Sequence, residues 1–267
     1  MPVLNPWKTR RIVAVDTETT GLDCAVDEIV EIAFVAGHLE EVEGGKLVMV
    51  EEEVFHTLIR PRPALMDNYA AAAAITGITW EQLKKAKYFP DVAKGLGAFI
   101  SRWDDALFVA FNARFDHAFI YSQFLKYGFA VPRCLSGSAK LIDPCSWSRG
   151  LDRYKSGGHK LTVISGRYGL LTQEEMQAGA HRADFDARLA FRVFAHFAND
   201  PRVPNDLDDL FDWQETQHAN WAAWFFGTIR PKIAAEKRTT AMAEERERRR
   251  VFAEVATTST TEAISDD

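Results

Sequence analysis

The feature that most limits the fold is a change of period at Pro61 and Pro63. Before it lie three β-rich runs: Arg11 to Asp16, breaking at Gly21; Ile29 to Val35; and Leu47 to Arg60. Gly44-Gly45 supplies a hairpin turn between the second and third, and the prolines end the third because they cannot continue a ladder. Three such runs in succession predict adjacent antiparallel strands. Beyond them the apolar residues recur at helical spacing. Helices are expected over Asp67 to Ala74, Trp80 to Lys85 behind an N-cap at Thr79, Asp91 to Trp103, Asp116 to Tyr127, Leu161 to Tyr168 and Asp184 to Phe197. Leu107 to Phe111 is an unbroken apolar run, as in a strand buried on both faces, and Lys140 to Ile142 reads as one more short strand. Strands first and then alternating helices and strands make an α/β domain with a mixed five-stranded sheet. With 47% hydrophobic residues the chain of 267 can bury a full core.

The expected organisation is a flexible arm over 1–9, a main domain over 10–200, a helical extension over 201–254 and a disordered tail over 255–267. Asn199-Asp200-Pro201 and Val203-Pro204-Asn205 mark the break. The extension carries Trp213, Trp221, Trp224 and Phe225, then a stretch from Arg230 to Arg250 with eight basic and four acidic residues. Such a run is a solvated helix face or a contact for phosphates or a partner. No apolar run reaches the roughly 18–20 residues of a membrane span, and the opening residues lack the basic and apolar segments of a signal peptide. Cys24, Cys134 and Cys145 show no CxxC spacing and read as reduced thiols of a cytoplasmic protein. A formal net charge of −6 argues against coating nucleic acid by charge alone. It leaves room for a nuclease whose cations neutralise phosphate locally.

Asp16 and Glu18 end the first apolar strand two residues apart, so both side chains project from one face. With a helix beginning near Asp116, 100° per residue puts Phe119, Ile120, Phe124 and Tyr127 within about 80° of it; this acid lies on the apolar face of its own helix. The same arithmetic separates the acids of His181-Arg182-Ala183-Asp184-Phe185-Asp186. Asp186 shares a face with Ala190, Val193, Phe194 and Phe197, whereas Asp184 points away as an N-cap or solvated acid. His181 is about 140° from Asp186 in a regular helix, so it belongs to the entering loop. Four acids aimed at a core are very costly to bury unless divalent cations balance them. Oxygen ligands without cysteine or a second histidine point to Mg²⁺ or Mn²⁺. Two such ions suit in-line phosphodiester cleavage, and a histidine titrating near neutrality suits activation of the water.

Val15-Asp16-Thr17-Glu18-Thr19-Thr20-Gly21-Leu22 resembles the first motif of the DnaQ-like, or DEDDh, 3′–5′ exonucleases, especially those of the polymerase III proofreading-subunit type. Phe111-Asn112-Ala113-Arg114-Phe115-Asp116 resembles the second motif and the segment His181 to Ala187 the third. Ile75 to Thr79 and Lys160 to Leu170 are similar to family landmarks in the same order. The resemblance covers about residues 10 to 198. It implies a ribonuclease-H-like fold with helices on both faces of the sheet, and release of 5′-monophosphates from the 3′ end of single-stranded nucleic acid, DNA before RNA. By the same likeness Asp16 would bridge two Mg²⁺ ions, replaceable by Mn²⁺. Glu18, Asp116 and Asp186 would complete their shells, and His181 would be the base. Thr19, Thr20, Leu22 and Asn112 would contact the terminal nucleotide.

Phe111 departs from the family pattern, where many members carry histidine, so altered packing or substrate contact is expected there. The charged hairpin from Glu40 to Glu53 has no assignment from sequence. Two competing functions stand beside the first: an exoribonuclease trimming RNA 3′ ends, and a non-catalytic partner-binding module of a replication or repair complex. The C-terminal helices could dock a polymerase or repair partner, although the tail carries no Q-x-x-Leu/Met-x-Phe peptide.

Overall fold

The computed structural model describes residues 6–66, 69–136, 140–172, 174–175 and 182–232. It contains a five-stranded sheet of order β4-β3-β2-β1-β5, with β1 over Ile12–Thr19, β2 over Ile29–Val42, β3 over Lys46–Arg60, β4 over Lys87–Tyr88 and β5 over Leu107–Ala110. The first three strands are consecutive and antiparallel, and the hairpin joining β2 to β3 turns on Gly44 and Gly45, both at positive φ. β1 runs parallel to β5, and β3 parallel to β4. The fifth strand is therefore Lys87–Tyr88, too short to show a period in sequence. Lys140 to Ile142 forms no strand: Ile142 makes one isolated bridge to Val109 before Pro144 opens a helix.

The helices are α1 Tyr69–Thr76, α2 Trp80–Leu83, α3 Phe89–Arg102, α4 Ala113–Lys126, α5 Pro144–Leu151, α6 Leu161–Arg167, α7 Ala183–Ala198 and α8 Leu207–Trp224. They cover both faces of the sheet, and the alternation along β1 shows how. Ile12 and Ala14 pack on one face with Trp147, Phe191 and Phe194. Val13 and Val15 pack on the other with Leu96, Phe99, Phe119 and Ile120. α5, which opens on Pro144 behind an Asp143 cap, was not among the helices expected from sequence.

The chain falls into two compact units, one ending at His218 and the other beginning at Ala219. The first unit thus runs past the Asn199–Pro201 break, and Leu207, Leu210 and Phe211 of α8 join its core. Within the second unit Trp221 stacks on Phe225 at 5.0 Å. Residues 255–267 and most of the basic segment lie outside the described residues. At the other end Trp7, expected in a flexible arm, is fully buried among Trp147 and Phe194 and donates its indole N–H to the Pro204 carbonyl at 2.8 Å. An indole that fills a core and satisfies its donor anchors this segment. No helix among the described residues is long and apolar enough to cross a membrane.

Three of the hairpin acids left unassigned by sequence find partners distant along the chain, two of them at the helices. Glu51 pairs with Arg188 of α7 at 2.7 Å, Glu53 with Arg102 and the Trp103 indole after α3, and Glu52 with His38 across the hairpin at 2.6 Å. Their charge is matched by tertiary contact, which no local pattern reveals.

Candidate active site

β1 delivers two acids to one face because its side chains alternate. Asp16 and Glu18 follow Ile12 and Ala14 on the α7 side, and Asp186 of α7 meets them there. One ligand oxygen from each of Asp16, Glu18 and Asp186 lies within 4.8 Å of the others. Thr17, between the two acids, points to the opposite face and donates its hydroxyl to Asp116 Oδ1 of α4 at 2.8 Å. Asp116 and Asp186 are thus brought to the end of β1 from helices on opposite faces. Both are buried, as their helix phases required.

The electrostatics show what this convergence costs. Burial, and then the charges of Asp116, Asp186, Glu18 and Glu31, hold Asp16 well above the usual carboxylate range. Burial, followed by Asp186, Glu31 and Asp116, pushes Glu18 up to about 8. Asp116 rises to about 7 through burial, opposed by the Thr17 hydroxyl bond. Carboxylates so crowded remain ionised at neutral pH only if cations balance them. The donor set is all oxygen, which fits hard divalent ions.

The turn after β1 is tightly made. Thr19 donates to the Gly21 carbonyl at 2.6 Å. Thr20 donates to Asp27 Oδ1 at 3.0 Å and accepts from the Glu28 amide at 3.1 Å. Gly21 sits so close to the Asp27 carboxylate that an added Cβ would overlap it. Both threonine hydroxyls therefore hold the loop's own shape, while Leu22 at its tip is 87% exposed. Asn112 is, among the described residues, the one non-glycine at positive φ (72°), immediately before α4. Its amide donates to Asp143 Oδ1 at 2.9 Å, so the left-handed turn is held by a buried side chain. Phe111 packs at the edge of the α7-side core.

His181 lies outside the described residues; Arg182, after it, caps α7 without a side-chain bond. Asp184 stands apart from the Asp16 group, as its helix phase indicated, yet it is not solvated. Its side chain is 17% exposed and pairs with Arg188 at 2.9 Å and Arg182 at 3.1 Å.

Sequence reasoning missed Glu31. This buried acid of β2 is the register partner of Glu18, bonds His56 Nε2 at 2.6 Å and accepts the Ala183 amide at 3.0 Å. A lone glutamate at the third position of an apolar run, Ile29-Val30-Glu31-Ile32, was the available signal.

The exonuclease family model RNase_T matches residues 13–194, a span containing all four acids. A DNA polymerase III of PolC type from Thermotoga maritima is 32% identical over 185 residues, which are 69% of this chain and 12% of that protein. Its counterpart from Staphylococcus aureus is 30% identical over 188 residues, 70% of this chain and 11% of that one. The chain thus spans a small part of the length of these relatives. Among solved structures, the nuclease domain of 3′hExo, a DEDDh family member, bound to rAMP, superposes with a TM-score of 0.54 at 18% identity, covering 72% of this chain and 94% of that one. Exonuclease I gives 0.56 at 16% identity, covering 77% and 43%. At those identities the likeness establishes the ribonuclease-H-like sheet with its flanking helices. With the family model matched over most of its length, the chain belongs to the exonuclease family that the model describes.

Proposed function

We propose that this chain removes nucleotides from the 3′ ends of single-stranded DNA as 5′-monophosphates, using two Mg²⁺ ions that Mn²⁺ can replace. The observation that carries the reading is the convergence of Asp16, Glu18 and Asp186 within 4.8 Å, with Asp116 acting on Asp16 from the opposite face. Asp16, at the centre of that charge, would share both ions; Glu18, Asp116 and Asp186 would complete their ligand sets. Bound there, the ions would polarise the scissile phosphate and lower the pKa of a water.

The chain's own groups do the rest. Asp16 and Glu18 are carried by a central strand and so are fixed against the sheet. Thr17 orients Asp116 through its hydroxyl. His181, five residues before Asp186, takes the proton of the attacking water as general base. The loop held by Thr19 and Thr20 presents exposed Leu22 to the terminal base, and Asn112 faces the same nucleotide from the start of α4. DNA is favoured because the sequence relatives are DNA polymerases by name; a polymerase or repair partner would then meet the C-terminal helices.

The test is a time course on 3′-tailed DNA and matched RNA labelled at the 5′ end, run with Mg²⁺, Mn²⁺ or chelator beside Asp16→Ala and His181→Ala. The expected result is a metal-dependent ladder shortening from the 3′ end, faster on DNA and lost in both variants. Absence of cleavage of every substrate by folded, metal-loaded protein would favour a binding module. Faster shortening of RNA would favour the trimming role.

A further inference from the structure

Glu31 adds a fifth carboxylate to a site already crowded with four. It sits on β2 opposite Glu18 at 3% exposure, and its charge adds to the repulsion felt by Asp16 and Glu18. An acid placed so unfavourably needs compensation, and its contacts supply it. Oε1 bonds His56 Nε2 of β3 at 2.6 Å, and Oε2 accepts the Ala183 amide at 3.0 Å. With both oxygens engaged, Glu31 is set apart from the ligand acids.

Ala183 is the first residue of α7, and Arg182 before it offers no side-chain cap. First-turn amides of a helix have no partner within it. Here one is satisfied from the sheet, by a residue 152 positions away in sequence. Ala183 lies three residues before Asp186 and two after His181, so the bond sits between the two groups of the third motif.

We propose that Glu31 is a positioning residue for hydrolysis. Its carboxylate holds the Ala183 amide, and thereby fixes the start of α7, which carries Asp186, against the strand that bears Asp16 and Glu18. His56 anchors the carboxylate from β3. The proposal rests on the exonuclease reading above.

Two substitutions separate reach from charge. Glu31→Asp keeps the charge but is one methylene too short for the Ala183 amide; Glu31→Gln keeps an oxygen at full reach and loses the charge. Each is assayed for kcat and KM on 5′-labelled single-stranded DNA with Mg²⁺, and for exchange of the Ala183 amide in metal-free protein. Glu31→Asp is expected to lower kcat about 10- to 100-fold with KM within about twofold, because misplacement acts on the chemical step. Its Ala183 amide should exchange at least about tenfold faster. Glu31→Gln should restore both to within about threefold, since an amide oxygen also accepts. Normal kcat and exchange in the Asp variant, or a Gln variant as impaired as the Asp variant, would overturn the proposal. Should the Asp variant not fold, the Gln variant decides by the same two readouts. If the parent cleaves no substrate, the proposed function fails separately. The exchange of Ala183 then still tests the clamp: acceleration in the Asp variant upholds it, and an unchanged rate overturns it.

Discussion

Thr17 is placed between Asp16 and Glu18 yet serves a third acid, because alternation turns its hydroxyl to the other face of the sheet and onto Asp116. That bond opposes the burial that lifts Asp116 to about 7. Thr17→Val keeps the shape and removes the donor, so Asp116 holds its proton to higher pH and competes less well for a cation. Mn²⁺ affinity at pH 7 should fall about 10- to 100-fold, the worth of one hydrogen bond to a charged group at roughly 1.5–3 kcal/mol, as read by isothermal titration. An unchanged affinity would show that Asp116 is not a ligand. The acids also set the pH dependence of stability. In metal-free protein Glu18 is raised from 4.5 to about 8 and Asp116 from 3.8 to about 7. The folded state therefore retains protons that the unfolded chain releases. This stabilisation is complete below the unfolded values and is lost as pH rises through the folded ones. In chelator, Tm should be higher at pH 5.5 than at pH 8, and saturating Mn²⁺ should reverse the order by binding the ionised forms. Asp16→Asn should raise the metal-free Tm at pH 8, on the order of 5 °C, and abolish the Mn²⁺ gain. A metal-free Tm indifferent to pH would contradict this.

At the scale of elements, α8 enters the site's support through Gln214. Its Oε1 accepts from the Asp143 amide at 2.8 Å and from the Trp147 indole at 2.8 Å, and its Nε2 donates to the Leu141 carbonyl at 2.9 Å. Asp143 in turn holds the Asn112 amide at the left-handed turn before α4. Gln214→Leu leaves these buried groups without partners and should cost about 3 kcal/mol at roughly 1–3 per orphaned group, measured by urea unfolding. A loss within about 0.5 kcal/mol, the usual range for surface substitutions, would show that the network carries no stability. Elements with long or unbroken patterns were legible. The run Leu107 to Phe111 became β5, and helical phase aimed Asp116 and Asp186 inward. β4 and α5 were not legible, because two residues show no period and α5 depends on a cap and on neighbours distant in sequence. The same limit misread Asp184. Helix phase separated it correctly from Asp186, but whether its outward face meets solvent depended on Arg188, held by Glu51 of β3.

For the whole molecule, the net charge of −6 and an acidic site mean that cations, not the general surface, must draw a phosphate strand in. Affinity for a 3′-tailed single strand should rise at least about tenfold when Ca²⁺ replaces chelator, while blunt duplex at physiological salt stays weaker than about 1 μM, the tight end of ordinary non-specific binding. Fluorescence anisotropy on both substrates checks this, and sub-micromolar duplex binding without cation would refute it. Replacing Arg248, Arg249 and Arg250 with Ala tests whether the basic segment contributes; unchanged affinity and salt slope would remove it from the interface. What this sequence determined by itself is what depends on neighbours along the chain: strand alternation that pairs Asp16 with Glu18, helix phase that turns Asp116 and Asp186 inward, and the motifs that carry the family likeness. The tertiary structure alone decided where the partners of a charge come from. Glu31 meets the Ala183 amide, Gln214 meets Asp143, and Trp7 fills a core shared with Phe194, all across sequence separations that no period spans. A buried polar group is stable only with a partner in space, and the packing of distant segments chooses that partner.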